Sequence, residues 1–434
     1  WAFFGWVCLM PLLLATKGQG FFKGFVGGII GAMFGGYVST TPLVGSGLVA
    51  DGTLAWNYVG FGLYGMVMAL FVGGVAEVKN PTWKTLPLLA CGGVLLELLT
   101  FIKLPAHIAL SQFASAPLLA LASITGIWGV SWLLWLANLT IILPKDKLQR
   151  AWGVGAACLL GLASHGISLN HRLTIDPRPI ASSEKGQVGA LQTDRTGAEE
   201  LLKLQVPLAQ VQPDWVVWPE LAVTQYDKPT LNNFAQSPGG WTVITSLNDD
   251  HQPKPHNAAF AFSPRGESLP YHKRKPFGAE AESITAGTKP RVVKVLDQNV
   301  ALNICFDSCF PWVLRDSVLN GAEVIALPTL DPKSPNGFIQ TAHAAFTTFR
   351  AAELGVPIVR AENTAWSMVV GPDGAMHSLA PVGWEGAIAR MLPEGERVTP
   401  YRLLGDWFLF ACLAALGVAC LSSVRERFAK PKAA

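Results

Sequence analysis

Apolar residues are spread unevenly along this chain, and that unevenness limits what it can fold into. They concentrate in residues 1–169 and again in 402–424, whereas 170–400 has the charge, proline and turn residues of a soluble domain. Apolar stretches that approach or reach bilayer-spanning length run at roughly 1–16, 21–40, 56–78, 82–103, 120–143, 148–168 and 402–424. Three segments follow from this: a transmembrane bundle of about six helices over 1–169, an α/β domain over 170–400, and a last transmembrane helix with a basic tail over 401–434. The sequence opens on Trp1, so residues amounting to as much as a whole helix are expected upstream.

The connections carry a charge pattern. Lys17 and Lys23, then Lys79 and Lys84, then Lys145, Lys147 and Arg150 fall in alternate connections, and Arg425, Arg427, Lys430 and Lys432 follow the last apolar stretch. The connections between them hold little: 41–55 carries only Asp51, and 104–119 has no lysine or arginine, although Lys103 borders it. Basic residues collect on the cytoplasmic side of a membrane protein, so this alternation places 170–400 outside the cytoplasm. Glu97 lies within an apolar stretch, where an ionisable group is costly unless it is paired, faces a cavity or sits near the interface. Residues 104–119, with Pro105, His107, Ser111 and Gln112, are too polar for a span and are expected to lie along the outer surface, where they could border a lipid entrance.

Several functions are disfavoured. The net charge is only +3, and the basic residues sit at segment ends without forming a stripe, which argues against nucleic-acid binding. Five of the seven cysteines fall in apolar segments; only Cys305 and Cys309 are in the soluble part. The eight histidines are scattered and no cysteine pair has zinc-ligand spacing, so neither a metal nor a disulfide framework is expected. The absence of a GxGxxG or phosphate loop gives no reason to expect a nucleotide cofactor, and no cofactor is expected. The helices hold few paired polar groups and show no inverted repeat, unlike a transporter.

Between 185 and 400, short apolar runs alternate with helical spacing. Residues 215–218, 241–246, 258–262, 292–295, 300–304, 324–328, 356–360 and 367–370 are expected to be strands, and 196–209, 310–320 and 338–354 helices. This describes a layered domain of two sheets with helices outside. Three strand ends carry chemically useful groups. Asp214-Trp-Val-Val-Trp-Pro-Glu220 puts a carboxylate beyond a strand that a proline stops; Tyr271-His-Lys273 supplies an ammonium; Asn303-Ile-Cys305 supplies a thiol at a strand-to-helix elbow. The positive end of the following helix would favour the thiolate there. A thiol nucleophile needs a base for its proton and a cation or donor for the oxyanion, roles open to glutamate and lysine. Cys309 is the rival nucleophile, but it falls in the expected first helical turn instead of at the strand end.

These segments resemble the Glu-Lys-Cys triad of the nitrilase, or carbon–nitrogen hydrolase, superfamily, whose fold is an α-β-β-α sandwich. With flanking membrane helices the chain looks like the apolipoprotein N-acyltransferase family, which completes bacterial lipoprotein maturation. Further similarity lies in Ser123-Ile-Thr-Gly-Ile-Trp-Gly-Val-Ser131, Glu97 with Ser111-Gln112, Pro276-Phe-Gly278, Arg315-Asp316, Gly321-Ala322, Arg350-Ala-Ala-Glu353, Arg360-Ala-Glu-Asn-Thr364 and Gly371-Pro-Asp-Gly374. The resemblance implies catalysis by Glu220 as base, Lys273 as oxyanion stabiliser and Cys305 as nucleophile. Cys305 would take the sn-1 acyl chain of a phospholipid such as phosphatidylethanolamine as a thioester. The chain would then pass, in ping-pong fashion, to the α-amine of a lipoprotein's diacylglyceryl-cysteine. It also implies a monomer in the bacterial inner membrane, with the catalytic domain on the periplasmic side.

The chain departs from the family pattern in places. Cys305-Phe306-Asp307 replaces Cys-Tyr-Glu, so Phe306 and Asp307 become supporting site residues. Gly278-Ala279-Glu280 inserts an alanine before the acid, and the spacing back to Lys273 is shorter than the family's, which makes Glu280 the second glutamate, with Glu282 as its competitor. Pro328-Thr-Leu-Asp-Pro-Lys-Ser334 replaces a tryptophan-bearing segment, leaving acceptor range open across 328–337. The alternatives are an acyltransferase or amidase of the same triad with another acceptor, and a catalytically idle lipid-binding homologue.

Overall fold

The computed structural model describes residues 2–44, 54–101, 105–144, 148–174, 186–250, 254–278, 280–332, 337–393 and 397–429. Asp51, Lys103, Lys145, Lys147, Ala279, residues 333–336, Lys430 and Lys432 lie outside them. The chain forms two compact units, residues 1–168 with 406–434, and residues 169–405.

The first unit is helical: α1 (Ala2–Val7), α2 (Met10–Thr16), α3 (Phe21–Val44), α4 (Leu54–Glu77), α5 (Leu86–Thr100), α6 (Ala116–Thr125), α7 (Ile127–Leu139) and α8 (Leu148–Thr174). Small residues let α3 and α4 approach closely: a Cβ on Gly24 would lie 2.6 Å from Ala76 Cβ, and one on Gly28 2.5 Å from Ala69 Cα. Among the described residues one helix, Leu148–Asn170, is long and apolar enough to cross a bilayer; the pair Ala116–Thr125 and Ile127–Ile142, bent by 118°, is a second if counted as one span. Ala2–Thr16, Phe21–Phe34, Gly65–Glu77, Leu86–Thr100 and Trp407–Ser422 are shorter apolar helices.

Two expectations need correction here, and the open choice at Glu97 is resolved. The stretches 1–16 and 120–143 are each broken: the first between α1 and α2, the second at Gly126, whose φ of 69° and ψ of −179° end one helix and start the next. Residues 105–115 do not lie along a surface. Their polar groups find partners inside the bundle instead: Gln112 is fully buried, donates to the Ala2 carbonyl at 2.6 Å and accepts from Trp6 Nε1 at 3.3 Å. Glu97 is a buried inter-helix clasp, accepting from Trp135 Nε1 at 2.9 Å and Ile108 N at 3.1 Å, with His107 Nδ1 at 2.9 Å. Those partners offset the cost of burying a polar group there.

The second unit begins with β1 (Gln187–Gln192), α9 (Ala198–Leu204), β2 (Trp215–Val217), α10 (Lys228–Gln236), β3 (Thr242–Asp249), β4 (His256–Ser263), β5 (Gly266–Glu267) and β6 (Tyr271–His272). It continues through α11 (Glu280–Ser283), β7 (Arg291–Val295), β8 (Gln298–Leu302), α12 (Pro311–Leu319), β9 (Val324–Pro328), α13 (Phe338–Leu354), β10 (Ile358–Ala361), β11 (Met368–Val370), β12 (Met376–Leu379), β13 (Gly386–Met391) and α14 (Pro400–Leu404). α15 (Trp407–Ala429) returns to the first unit, where Trp407 Nε1 donates to the Ile124 carbonyl at 2.7 Å.

One sheet runs β13-β1-β2-β3-β4-β5 with β6 beside β4; the other runs β12-β11-β10-β9-β8-β7. The strands β1, β2 and β3, and likewise β8, β9 and β10, are parallel, so both sheets need covering on each face. They stack on one another through β1, β2, β9 and β10. α9 and α10 cover the first sheet around Val216, Trp218, Val243 and Phe260, and α13 lies on β10 and β11 of the second. The unit is an α-β-β-α sandwich. Parallel strands carry their catalytic residues at the carboxyl ends, and here β2 and β8 deliver Glu220 and Cys305 there.

Candidate active site

Glu220 follows β2 in a turn that neighbouring hydroxyls fix. Thr245 Oγ1 donates to the Pro219 carbonyl at 3.1 Å and Leu221 N donates to Ser246 Oγ at 3.1 Å, while Leu221 itself sits at φ 54°. Lys273 leaves β6 with its backbone N bonded to the Asn257 carbonyl at 2.8 Å. Its buried ammonium donates to Glu220 Oε1 at 2.8 Å and to Glu280 Oε2 at 2.7 Å. Asn257 Nδ2 lies between the two acids, 2.7 Å from Glu220 Oε1 and 2.9 Å from Glu280 Oε1. Burial pushes the ammonium down, but the neighbouring carboxylates of Glu220 and Glu280 outweigh that and hold it protonated.

Cys305 stands two residues beyond Asn303 at the end of β8, with φ 48° in the left-handed region, and opens a short 3-10 turn, Cys305–Cys309, ahead of α12. That turn separates the thiol from the helix, so the expected helix-end stabilisation of a thiolate is overridden. Burial, then the Glu220 carboxylate, push the thiol well above its ordinary range, against the pull of Lys273. At rest Cys305 is therefore a thiol and needs a base. Its Sγ lies 3.8 Å from the Leu330 carbonyl. Cys309 ends the same turn, fully buried, and burial likewise pushes its thiol up.

Free valences near the thiol suit the chemistry. A lysine ammonium has three donors, and among the described residues two are committed to carboxylates, leaving one for an oxyanion. Glu220 Oε1 accepts two hydrogen bonds, whereas Oε2 accepts one, from Leu330 N at 2.9 Å, and keeps a lone pair for a proton.

The supporting residues divide. Glu280 joins the Lys273 cluster at the start of α11, held by Phe277 N at 2.8 Å; Glu282 does not join it. Asp307 is a clasp for the cysteine turn: it accepts from Tyr271 OH at 2.7 Å, Ile304 N at 3.0 Å and Lys275 N at 2.9 Å. Burial pushes its carboxyl up to about 6, although those hydrogen bonds pull the other way. Phe306 packs edge-on between Phe277 and Phe310, at ring separations of 4.9 and 5.1 Å.

Sequence reasoning missed Asn257, Asp331 and His343. Cys305 Sγ, an Asp331 oxygen and a His343 nitrogen lie within 4.8 Å of one another, a donor set of the type a soft cation takes. The fit is poor, because Asp331 is already bound by the Arg360 guanidinium at 2.6 Å and by His343 Nδ1 at 2.6 Å.

A family model described as Carbon-nitrogen hydrolase matches residues 197–391. A protein of Geobacter metallireducens named apolipoprotein N-acyltransferase is 25% identical over 479 residues, 97% of this chain and 91% of its own. One of the same name from Gloeobacter violaceus is 38% identical over 123 residues, 27% of this chain and 23% of its own. Among solved structures, an amidase mutant from Nesterenkonia sp. AN1 is 17% identical at a TM-score of 0.44, covering 54% of this chain and 98% of that one. That structural likeness is too slight to carry weight, but the family match spans every strand-end residue of the site and the Geobacter relative spans both units. The chain is thus similar over nearly its whole length to an apolipoprotein N-acyltransferase, and its residues 197–391 match the carbon–nitrogen hydrolase family.

Proposed function

We propose that the protein moves an acyl chain from a phospholipid to the α-amine of the diacylglyceryl-cysteine at a lipoprotein's N-terminus, through a thioester on Cys305. The observation that carries this is the buried Lys273 ammonium bridging Glu220 and Glu280 beside a protonated thiol. Glu220 takes the thiol proton as Sγ attacks the sn-1 ester carbonyl, and the third N–H of Lys273 receives the oxyanion. Collapse expels the lysophospholipid alkoxide, which takes the proton back from Glu220. The acceptor amine then attacks the thioester, loses a proton to Glu220 and forms an amide. The Cys305 thiolate leaves and is reprotonated.

Phosphatidylethanolamine is the proposed donor, and one chain carries the whole triad, which supports action as a monomer. The apolar helices and the alternating lysines support a multi-pass membrane unit, with 170–400 on the periplasmic side of the inner membrane and the tail in the cytoplasm. Both substrates are then membrane-anchored. A site at the surface avoids extracting them at about 0.8 kcal/mol per buried methylene.

The test is the mass of the Cys305 peptide after incubation with phosphatidylethanolamine and no acceptor. A hydroxylamine-sensitive acyl adduct is expected, absent in Cys305→Ala and retained in Cys309→Ala. Loss of the adduct in Cys309→Ala alone would move the nucleophile. Rapid turnover to free fatty acid with no amide on added lipopeptide would leave an amidase-type hydrolase instead.

A further inference from the structure

His343 lies in α13, buried at 8% exposure, and faces the back of the nucleophile turn. Its Nδ1 is 2.6 Å from Asp331 Oδ1, and its Nε2 is 3.2 Å from the Cys305 carbonyl oxygen and 3.0 Å from Ser308 Oγ. Asp331 is fixed by the Arg360 guanidinium at 2.6 Å and by its own backbone N, which donates to Glu362 Oε1 at 3.1 Å and Asn363 Oδ1 at 3.0 Å. Burial pushes the Asp331 carboxyl up, but His343 and Arg360 outweigh it and keep it ionised. A carboxylate can only accept, so Nδ1 carries a hydrogen toward it. Ser308 Oγ also reaches the Cys305 carbonyl, at 2.9 Å, and so directs its hydrogen there. Nε2 thus faces the Cys305 carbonyl within hydrogen-bonding reach.

The geometry points to His343 as a positioning residue: held by Asp331, it donates to the Cys305 carbonyl and locks the left-handed backbone that aims Sγ at the substrate ester. A non-glycine residue at φ 48° is held there only by its surroundings, and here those are two side-chain groups on a single carbonyl. This rests on the reaction proposed above, but the role concerns the thiol itself and can be read without phospholipid.

The experiment compares His343→Gln, His343→Asn and His343→Ala in the full-length protein. The glutamine amide reaches the position of Nε2 and keeps the donor to Cys305; the asparagine amide reaches only Nδ1 and keeps the contact to Asp331. Two rates are measured with each: acyl-adduct formation from phosphatidylethanolamine, and alkylation of Cys305 by iodoacetamide, with the thermal midpoint as a check on folding. The expected result is a kcat about a hundredfold lower in Asn and Ala at unchanged KM, the scale of a misplaced reacting group, with substantial recovery in Gln. Cys305 alkylation should follow the same order. Equal rates in Gln and Asn, or losses that track the thermal midpoint alone, would overturn the role. If the wild type forms no adduct while alkylation keeps the order Gln above Asn, the phospholipid reaction fails and the positioning role stands.

Discussion

The site depends on how few buried partners each charge has. Lys273 serves two carboxylates, and Asp307 ties the segment on either side of Lys273 to the cysteine turn through Tyr271 OH and Lys275 N. The carboxyl of Asp307 is pushed from 3.8 up to about 6 by burial, so the folded protein binds that proton more tightly than the unfolded chain. A raised pKa of this kind gives stability that is complete below the unfolded value and is lost as pH rises through the folded one. The stability difference between wild type and Asp307→Asn should therefore fall by up to about 3 kcal/mol from pH about 4 to about 7, read from thermal or urea unfolding. A difference that rises with pH would mean that the hydrogen bonds outweigh burial in setting the titration. Glu220 and Cys305 were legible in the sequence because each follows a short apolar strand, a local pattern, and Lys273 through the Tyr271-His-Lys273 motif. His343 and Asn257 were not. Cys305 and Glu220, which they contact, lie 38 and 37 residues away, and only the fold brings them together. The one local trace of His343 is a polar residue on the buried face of α13, among Ala344, Phe346 and Thr347.

At the scale of elements, periodicity located β2, β3, β4 and β7 to β11 and the helices α12 and α13 of the sandwich, but not β1, β5, β6, β12, β13 or α10. All six residues of β1 are buried, so Gln187-Val-Gly-Ala-Leu-Gln192 shows no alternation to read. The expected helix over 196–209 is split after Leu204 into a 3-10 turn, Val206–Gln210, that starts with a proline in its first positions. Composition also overran the break at Gly126, because hydropathy averages across a residue whose role is conformational. Gly126 adopts φ 69° and ψ −179°, a region open to glycine alone. Gly126→Ala should cost about 1–3 kcal/mol, seen as a lower thermal midpoint in detergent with the Cys305 chemistry intact below it. An unchanged midpoint would mean that the bend is not held as described.

For the molecule as a whole, the charge pattern leads to a sidedness that reporter fusions can test. Alkaline phosphatase joined in the 193–197 connection should be active and a fluorescent protein after residue 429 should glow; the reverse pair would invert the proposed topology. The bend between α6 and α7 gives this test its force. In the proposed topology, with Lys17 and Lys23 on the cytoplasmic side, α3, α4, α5, the bent pair and α8 would make five passages if the pair counts once, an odd number. Counted as a loop that enters and leaves on one face, the pair adds none and the total becomes even. Sidedness is then a matter of parity, decided at a single glycine: the same sandwich and the same thiol would face lipoproteins under one count and the cytosol, with no acceptor in reach, under the other.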